Sequence, residues 1–501
     1  MTNPSPNDTL AKIKAAHKLP IVDEAMSKAF GQSATATAGL TYYDLQAGAL
    51  SLSPLITPLR GSIARVGAGR GIQANWKAIT GININSIAIG VSEGNRGGVV
   101  ATATQDYMAA FRGLGLEDYV TFEADYAADG FDNVKALAAQ GLLRALMIGE
   151  EKVILGGNTS NPLGATPQPS LADVPTGGAL AANTQVSVRV AALTLDGFLG
   201  STVAAGVRGQ ISRTNADSSS DIYGGGTAKV STAALINTAN DGNATHKITA
   251  TVAPVVGAVG YAWFWGASGS EVLGAITTIN SVVVTAAASG SQTASSLGIS
   301  DNSTNGLVFD GLLTQVTKPG SNSYVYAMPT GAAGTGTPLT ADGVGGIVEI
   351  DAALQHFWDV YRLSPTTIWV SSQELGNITR KVLAGSQTGA QRFIVNTEQG
   401  NIKGGDLVTT YLNKFSMDGA QSIAVRPHPN LPAGTILFHT DQLPYPLSGV
   451  ANVLQMRTRR DYYQIEWPVK TRRYEYGVYF DGVLQNYFPP AFGIITNIAN
   501  G

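Results

Sequence analysis

The segment VLQMRTRRDYYQIEWPVKTRRYEYGVYFDGVLQNYFPPAFGIITN, residues 453–497, decides the fold. Apolar residues at positions 463, 465, 467 and 469 alternate with residues of the other parity, as expected of a strand with one buried and one exposed face. After Arg473 the apolar set moves to positions 474, 476, 478 and 480. This change of parity predicts either two strands that meet near residues 470–473 or one long strand with a bulge there.

Charged side chains lie along the same segment, residues 453–497, which we call the closing ribbon. They form the main charge feature of the chain. The bases are Arg457, Arg459, Arg460, Lys470, Arg472 and Arg473, and the acids among them are Asp461, Glu466 and Glu475. Because odd and even positions of a strand project to opposite faces, the bases cannot form one stripe along a phosphate backbone. We therefore expect salt bridges within or between subunits ahead of contact with DNA. A solvated edge that blocks unwanted strand pairing is the remaining alternative.

Composition excludes several classes of function. The chain has 501 residues, 59 glycines, 13% charged residues, no cysteine and a formal net charge of -3. Its length fits about three domains, and its glycine content favours strands and loops. Without cysteine there is no disulfide, thiolate metal site or cysteine nucleophile, and near-neutral charge gives no general attraction to nucleic acid or anionic membrane. We expect a soluble protein without an export signal, since no apolar window reaches the length of a membrane span.

The clearest helix covers residues 131–155, FDNVKALAAQGLLRALMIGEEKVIL. Asp129 or Asp132 can cap its start, an apolar stripe follows one face, and Gly156 and Gly157 end it. We expect that face to be core in preference to a groove for a partner. At over six turns, the helix can act as a strut.

The residues before this helix have few partners of their own. Residues 1–60 could not fold alone, so we predict an arm that lies on other parts of the protein or on a neighbour, or else a disordered tail. Residues 65–126 alternate about a glycine-rich tip at positions 94, 97 and 98, which predicts a long hairpin. A hairpin with so little core usually packs against another subunit or domain.

Residues 181–327 differ in composition, being rich in Ala, Thr, Ser and Gly. Valines at 186, 188 and 190 alternate, as do aromatic residues at 261, 263 and 265, and Asp-Gly pairs at 196, 241 and 310 supply turn signals. This pattern predicts an inserted β-sandwich. The strand YAWFWG, followed by residues 276–285, resembles a fibronectin type III or immunoglobulin-like module.

From residue 347 the chain is predicted to return to a helix, a buried strand and a second helix with a capping box at Ser371 and Glu374.

Residues with catalytic or metal-binding chemistry do not group in this sequence. The five histidines, at positions 17, 246, 356, 428 and 439, fall in different segments, and we expect a structural role for each. Glu150 and Glu151 point about 100° apart on their helix, which does not suit a cooperating carboxylate pair, so a solvated face is predicted for both. The glycine runs at 67–71 and 156–164 lack the spacing of nucleotide-binding loops. No catalytic, metal-binding or cofactor-binding residue is predicted, and no cofactor.

The segments FDNVKALAAQGLLRALMIGEEKVILGGN and IVEIDAALQHFWDVYRLSPTTIWVSSQELGNITRKVLAG, followed by the closing strands, resemble in type and order the major capsid proteins of tailed bacteriophages with the HK97-like fold. The resemblance covers roughly residues 1–180 and 325–501 and leaves the sandwich as an insertion. It implies an α+β fold with the following parts: an N-terminal arm at 1–60, an extended loop with peripheral-domain strands at 61–126, a spine helix at 127–158, an axial domain at 159–180 and 328–440, the inserted immunoglobulin-like sandwich at 181–327, and peripheral-domain strands with a C-terminal return at 441–501.

The resemblance also implies a function. The chain would be a non-enzymatic major capsid protein that self-assembles into hexamers and pentamers of an icosahedral phage head around double-stranded DNA. Its partners would be further copies of itself, portal, scaffolding or decoration proteins, and packaged DNA through weak non-specific contact, without a membrane. It would be assembled in the host bacterial cytoplasm, reside in the virion capsid and expose the insertion on the outer surface. The alternative is a secreted or surface-displayed binding protein whose sandwich recognises glycan or protein.

Overall fold

A computed structural model describes residues 55–82, 89–99, 102–128, 133–384, 407–416, 419, 421–445 and 449–501. Most of the predicted arm lies outside the described residues, as do part of the predicted loop tip and the cap candidates Asp129 and Asp132. Within these ranges the chain is a mixed α+β structure with several sheets, as predicted. Val120–Leu137 belongs to a smaller compact unit, and Leu55–Tyr119 with Ala138–Gly501 forms a larger one.

The α-helices of the described ranges are mostly short. They are α1 Pro58–Ser62, α2 Phe122–Ala127, α3 Val134–Gly156, α4 Leu195–Leu199, α5 Leu312–Thr317, α6 Val348–Tyr361 and α7 Ser372–Ala384. The Asn133 side chain accepts from the Ala136 N–H at 3.1 Å, so an asparagine caps the long helix α3. The predicted cap of α7 is confirmed, because Ser371 Oγ accepts from the Glu374 N–H at 3.2 Å. No helix among the described residues is long and apolar enough to cross a membrane.

Strands carry most of the fold. In chain order they are β1 Ala64–Val66, β2 Gln73–Ile82, β3 Thr102–Ala110, β4 Arg112–Thr121, β5 Ser170–Val174, β6 Gln185–Leu193, β7 Gln210–Thr214, β8 Ser220–Gly224, β9 Ala234–Asn237, β10 Lys247–Thr251, β11 Gly260–Gly266, β12 Val272–Thr277, β13 Ser281–Val284, β14 Tyr324–Ala327, β15 Thr367–Val370, β16 Thr410–Asn413, β17 Gln421–Pro427, β18 Ile436–His439, β19 Leu454–Glu466, β20 Arg473–Asn486 and β21 Gly493–Thr496. Two 3₁₀ turns, Ala294–Leu297 and Pro489–Ala491, accompany them.

The closing ribbon is a pair of strands, which confirms the first of the two alternatives. Strands β19 and β20 are antiparallel, β1 pairs parallel with β19, and β4 completes the sheet in the order β1-β19-β20-β4. The predicted alternation up to Val469 was wrong, because β19 ends at Glu466. Trp467 and Val469 lie in the connecting loop with 40% and 56% of their surface exposed.

The predicted hairpin is formed by β2 and β3, which pair with each other in a two-stranded sheet. Its root is anchored by Trp76, whose Nε1 donates to the Asn486 carbonyl at 2.9 Å and whose ring stacks on Tyr107 at 5.7 Å. Trp76 also meets Tyr487 edge-on at 6.5 Å. Contacts with Asn486 and Tyr487, at the end of strand β20, therefore hold the base of the hairpin.

The inserted region forms a β-sandwich. One sheet has the order β13-β10-β5, the other β12-β11-β6-β9, and their facing side chains share one core that includes Val188, Ile248 and Trp263. A second cluster, with Phe264 and Leu273, covers the outer face of the four-stranded sheet. Both faces of β11 are thus buried, which explains why its sequence is almost wholly apolar.

The sandwich does not follow the boundaries 181–327. Strand β5 precedes residue 181 but belongs to the sandwich, whereas β14 precedes residue 327 and pairs with β21 in another sheet. Two of the Asp-Gly pairs are not strand turns either. Asp196 lies in helix α4, and the Asp310 carboxylate accepts from the Thr159 and Ser160 N–H groups at 2.8 and 3.0 Å.

The last sheet has six strands in the order β14-β21-β18-β15-β17-β16. Helix α6 packs on it through Phe357, whose ring meets Phe438 at 5.7 Å. Strand β21 follows directly on the closing ribbon, so the end of the chain passes from the ribbon sheet into this sheet.

Candidate functional site at two buried glutamates

Glu150 and Glu151, near the end of helix α3, are fully buried. The predicted solvated face is therefore wrong at this point. Helix α1, strand β19 and the residue His428 that follows β17 all reach these two carboxylates, which removes them from water. We call the group formed by Leu59, Arg60, Arg65, Glu150, Glu151, His428, Asp461 and Tyr462 the carboxylate junction.

Glu151 is held by three donors. Its Oε1 accepts from the Leu59 N–H at 2.9 Å and lies 2.7 Å from His428 Nε2, and its Oε2 accepts from the Arg60 N–H at 2.7 Å. His428 Nδ1 accepts from the Asn430 N–H at 3.2 Å, so the ring proton is on Nε2 and points at Glu151.

Glu150 has three donors of its own. Arg65 Nη1 lies 2.7 Å from Oε1, Arg60 Nε lies 3.1 Å from Oε2, and the Tyr462 hydroxyl also donates to Oε2. A buried carboxylate is strongly destabilising when it is left unpaired, so the carboxylate junction is stable only with its partners in place. The two glutamates therefore tie three distant segments of the chain together.

Aromatic and acidic groups of the ribbon complete the carboxylate junction. The guanidinium carbons of Arg60 and Arg65 lie 5.1 and 5.0 Å from the centre of the Tyr462 ring, as in cation–π contacts. Asp461 accepts from Arg65 Nε at 3.2 Å and from Nη2 at 2.7 Å. Burial alone would lower the pKa of Arg65, but Asp461 and Glu150 outweigh it and raise that pKa.

The carboxylate junction can hold segments of the chain together, but its chemistry does not suit catalysis. Burial and the hydrogen bond to Glu150 raise the pKa of Tyr462 to about 12, so the phenol stays protonated as a donor. Each carboxylate is buried and accepts three hydrogen bonds from within the chain, an arrangement that does not suit a base acting on a substrate. Among the described residues, no three His, Asp or Glu side chains are grouped to hold a metal ion.

The bases predicted from the ribbon are only partly brought together. Their contacts within the chain include Arg459 Nη2 with Asp481 at 2.5 Å, Arg473 Nε with Glu475 at 2.5 Å, Arg457 Nη2 with the Ala68 carbonyl at 3.3 Å, and Arg460 over the Tyr463 ring at 4.2 Å. Asp461 belongs to the carboxylate junction, and Glu466 accepts from Gln464 Nε2 at 3.4 Å. Lys470 and Arg472 are exposed in the loop between β19 and β20.

Sequence reasoning missed Arg60, Arg65, Tyr462 and His428 as partners of the glutamates. One signal was available. Two adjacent acids near the carboxyl end of a helix face the negative end of its dipole, which is unfavourable without outside donors. Their position alone therefore indicated that cations from elsewhere in the chain cover them.

Comparison with known proteins gives structural similarities alone. No family model and no curated protein matches the chain. The capsid of Myoviridae phage XM1 is similar with a TM-score of 0.37 and 9% identity over 90% of this chain and 95% of that one. The capsid of a native GTA particle gives 0.39 and 9% over 93% and 99%, and Mycobacterium phage Bobi gives 0.38 and 8% over 95% and 98%. Because each of these TM-scores is below 0.5, the function is inferred from the contacts within the chain and not from these similarities.

Proposed function

We propose that this protein is a self-assembling shell subunit, a major capsid protein of the HK97-like type that forms hexamers and pentamers of an icosahedral phage head. The order of helix and strand motifs in the sequence supports this function. One structural observation supports it most: the two-stranded hairpin β2–β3, among whose described residues large apolar side chains are exposed.

That hairpin is β2–β3. A two-stranded ribbon is at best marginally stable in water unless another surface covers it. Ile72 and Met108, near its base, have 81% and 74% of their surface exposed, and Val99, near its tip, has 92%. Burial of such side chains on another copy would contribute about 1.5–3 kcal/mol each. Assembly is therefore the natural state for this part of the chain.

The carboxylate junction supports the same function in a different way. Glu151 holds helix α1 through two backbone N–H groups. Helix α1 is thus fixed to helix α3. A fixed root is what an arm needs if it is to reach a neighbour in a defined direction.

Several of the charged ribbon residues have partners within the chain. Arg459, Arg473 and Asp461 have acidic or basic partners within the chain. We infer that Arg460, Lys470 and Glu466, which are exposed, are the better candidates for ion pairs between copies. Exposed pairs of this kind give specificity in preference to large stability.

We also infer the outer surface of the shell, its cargo, its site of assembly and its further partners. The sandwich would face outward, packaged double-stranded DNA would be held by weak non-specific contact, and assembly would occur in the host cytoplasm. Portal, scaffolding and decoration proteins are the further partners that such a shell would have.

Electron microscopy and sedimentation of the purified protein test this function. Hollow particles, or free hexamers and pentamers, are expected, whereas a stable monomer that binds glycan would contradict the proposal. The variant Ile72→Ser/Met108→Ser should keep its circular dichroism spectrum and lose assembly. Ile299→Ser, at a residue of the inserted region with 85% of its surface exposed, is the matched control and should assemble normally.

A further inference from the structure

His246 lies between two carboxylates in the sandwich. Its Nδ1 is 3.0 and 3.1 Å from the two oxygens of Asp173, and its Nε2 is 2.9 Å from Asp241 Oδ1. The side chain is fully buried. Both ring nitrogens thus face an acid at hydrogen-bonding distance.

These three residues join different parts of the sandwich. Asp173 is in the edge strand β5, Asp241 is in the connection from β9 to β10, and His246 immediately precedes β10. The connection is tied down further, because the Ala239 N–H donates to Asp173 Oδ2 at 2.9 Å and the Asn243 N–H to Asp241 Oδ1 at 2.9 Å. The group therefore closes the side of the sandwich where β5 and β9 come together.

Only a protonated ring satisfies this geometry. A neutral imidazole carries one N–H, so one of its nitrogens would present a lone pair to a carboxylate. The imidazolium form donates to both acids at once. Lys247 follows His246 in the chain, and its Nζ lies near Gly177.

We propose that Asp173, His246 and Asp241 form a pH-dependent clasp that strengthens the attachment of residues 239–246 to the sandwich when His246 is protonated and weakens it when it is not. The clasp is independent of shell assembly. It acts within one chain, between strand β5 and the connection from β9 to β10.

The direction of the pH effect follows from the ring's environment. The hydrogen bond to Asp241, supported by Asp173, raises the pKa of His246 above its ordinary value. The contact with His246 in turn lowers the pKa of Asp241 to about 2. A raised folded-state pKa stabilises the fold fully below the unfolded value of about 6.5, and this contribution is lost as the pH rises through the folded value.

Proton NMR of the histidine C2–H signals in the full-length chain tests the clasp, with His246 assigned by the signal lost in His246→Gln. His246 is expected to titrate above pH 6.5. As His246 loses its proton with rising pH, hydrogen exchange of residues 239–246, corrected for intrinsic pH effects, should become faster. In His246→Gln and in Asp241→Asn that extra increase should disappear. His356→Gln, which changes a histidine in contact with Tyr324 and Phe357, is the control and should retain it.

The clasp is overturned if His246 titrates at or below pH 6.5. It is equally overturned if residues 239–246 exchange with the same pH dependence in the wild-type chain and in Asp241→Asn. If His246→Gln fails to fold, the exchange rates of Asp241→Asn still decide the test.

Discussion

The backbone N–H of Asn280 donates to Oδ1 of Asn497 at 2.8 Å, which joins the sandwich to the end of the six-stranded sheet. Asn497 also donates from Nδ2 to the Met328 carbonyl at 2.7 Å, and Asn280 donates to Thr330 Oγ1 at 2.9 Å. Both asparagines are buried. These buried hydrogen bonds therefore attach the sandwich to the six-stranded sheet.

Replacing Asn497 with Ala should loosen this attachment. Two buried hydrogen bonds are lost at about 1 kcal/mol each, and Ala is disfavoured at the φ of 61° found here. We expect about 2–3 kcal/mol of destabilisation, measured from urea unfolding. Asn497→Gly is the control, since glycine accepts this φ but cannot make either bond. Full stability of the glycine variant would show that the hydrogen bonds contribute nothing.

Replacing Glu151 with Gln should release helix α1. The amide keeps the size of the side chain but places an N–H group among three donors, Leu59 N, Arg60 N and His428 Nε2. The cost is expected to be about 1–3 kcal/mol. Trypsin should then cut after Arg60 and Arg65 several-fold faster than in the wild type. Glu466→Gln, at an exposed position, is the control and should leave the cleavage rate unchanged.

The period of apolar residues predicted the type of the long helices and strands, for a physical reason. Long strands such as β19 and β20 and helices such as α3 leave apolar periodicity in the local sequence, so their type was predictable. Burial follows the predicted faces only in part, because Leu137 and Ala145 of α3 are exposed and both faces of β20 are buried from Gly482 to Asn486. The hairpin β2–β3 was recognisable from its glycine tip in the same way. The change of parity near Lys470 proved to mark a turn between strands.

The carboxylate junction was not predictable by the same means. Its partners are 85 to 402 residues apart in the chain, and no local pattern records that Arg65 or Tyr462 will meet Glu150. The insertion boundaries failed for a related reason. Composition changes near residue 181, but strand pairing, which composition does not encode, assigns β5 to the sandwich and β14 to the six-stranded sheet.

Replacing Trp76 with Phe should loosen the root of the β2–β3 hairpin. The ring and its stacking on Tyr107 are largely kept, but the Asn486 carbonyl loses its Nε1 donor. We expect a loss of about 1 kcal/mol and faster hydrogen exchange in residues 73–78. Tyr107→Phe removes only a hydroxyl bonded to Gln105 and serves as the control. Equal exchange rates in the two variants would exclude the indole hydrogen bond as the anchor.

The two chain segments that enter and leave the sandwich meet side by side, so excision at that point should leave a folded remainder. The Gly164 N–H donates to Asp301 Oδ2 at 2.7 Å, which a short Gly-Ser linker can span in place of residues 165–300. This deletion keeps helix α5, strand β14 and the Asp310 contacts with Thr159 and Ser160. Deleting residues 181–327 removes all three and should give insoluble protein. Solubility and far-ultraviolet circular dichroism compare the two deletions, and equal behaviour would show that the strand-pairing boundary is wrong.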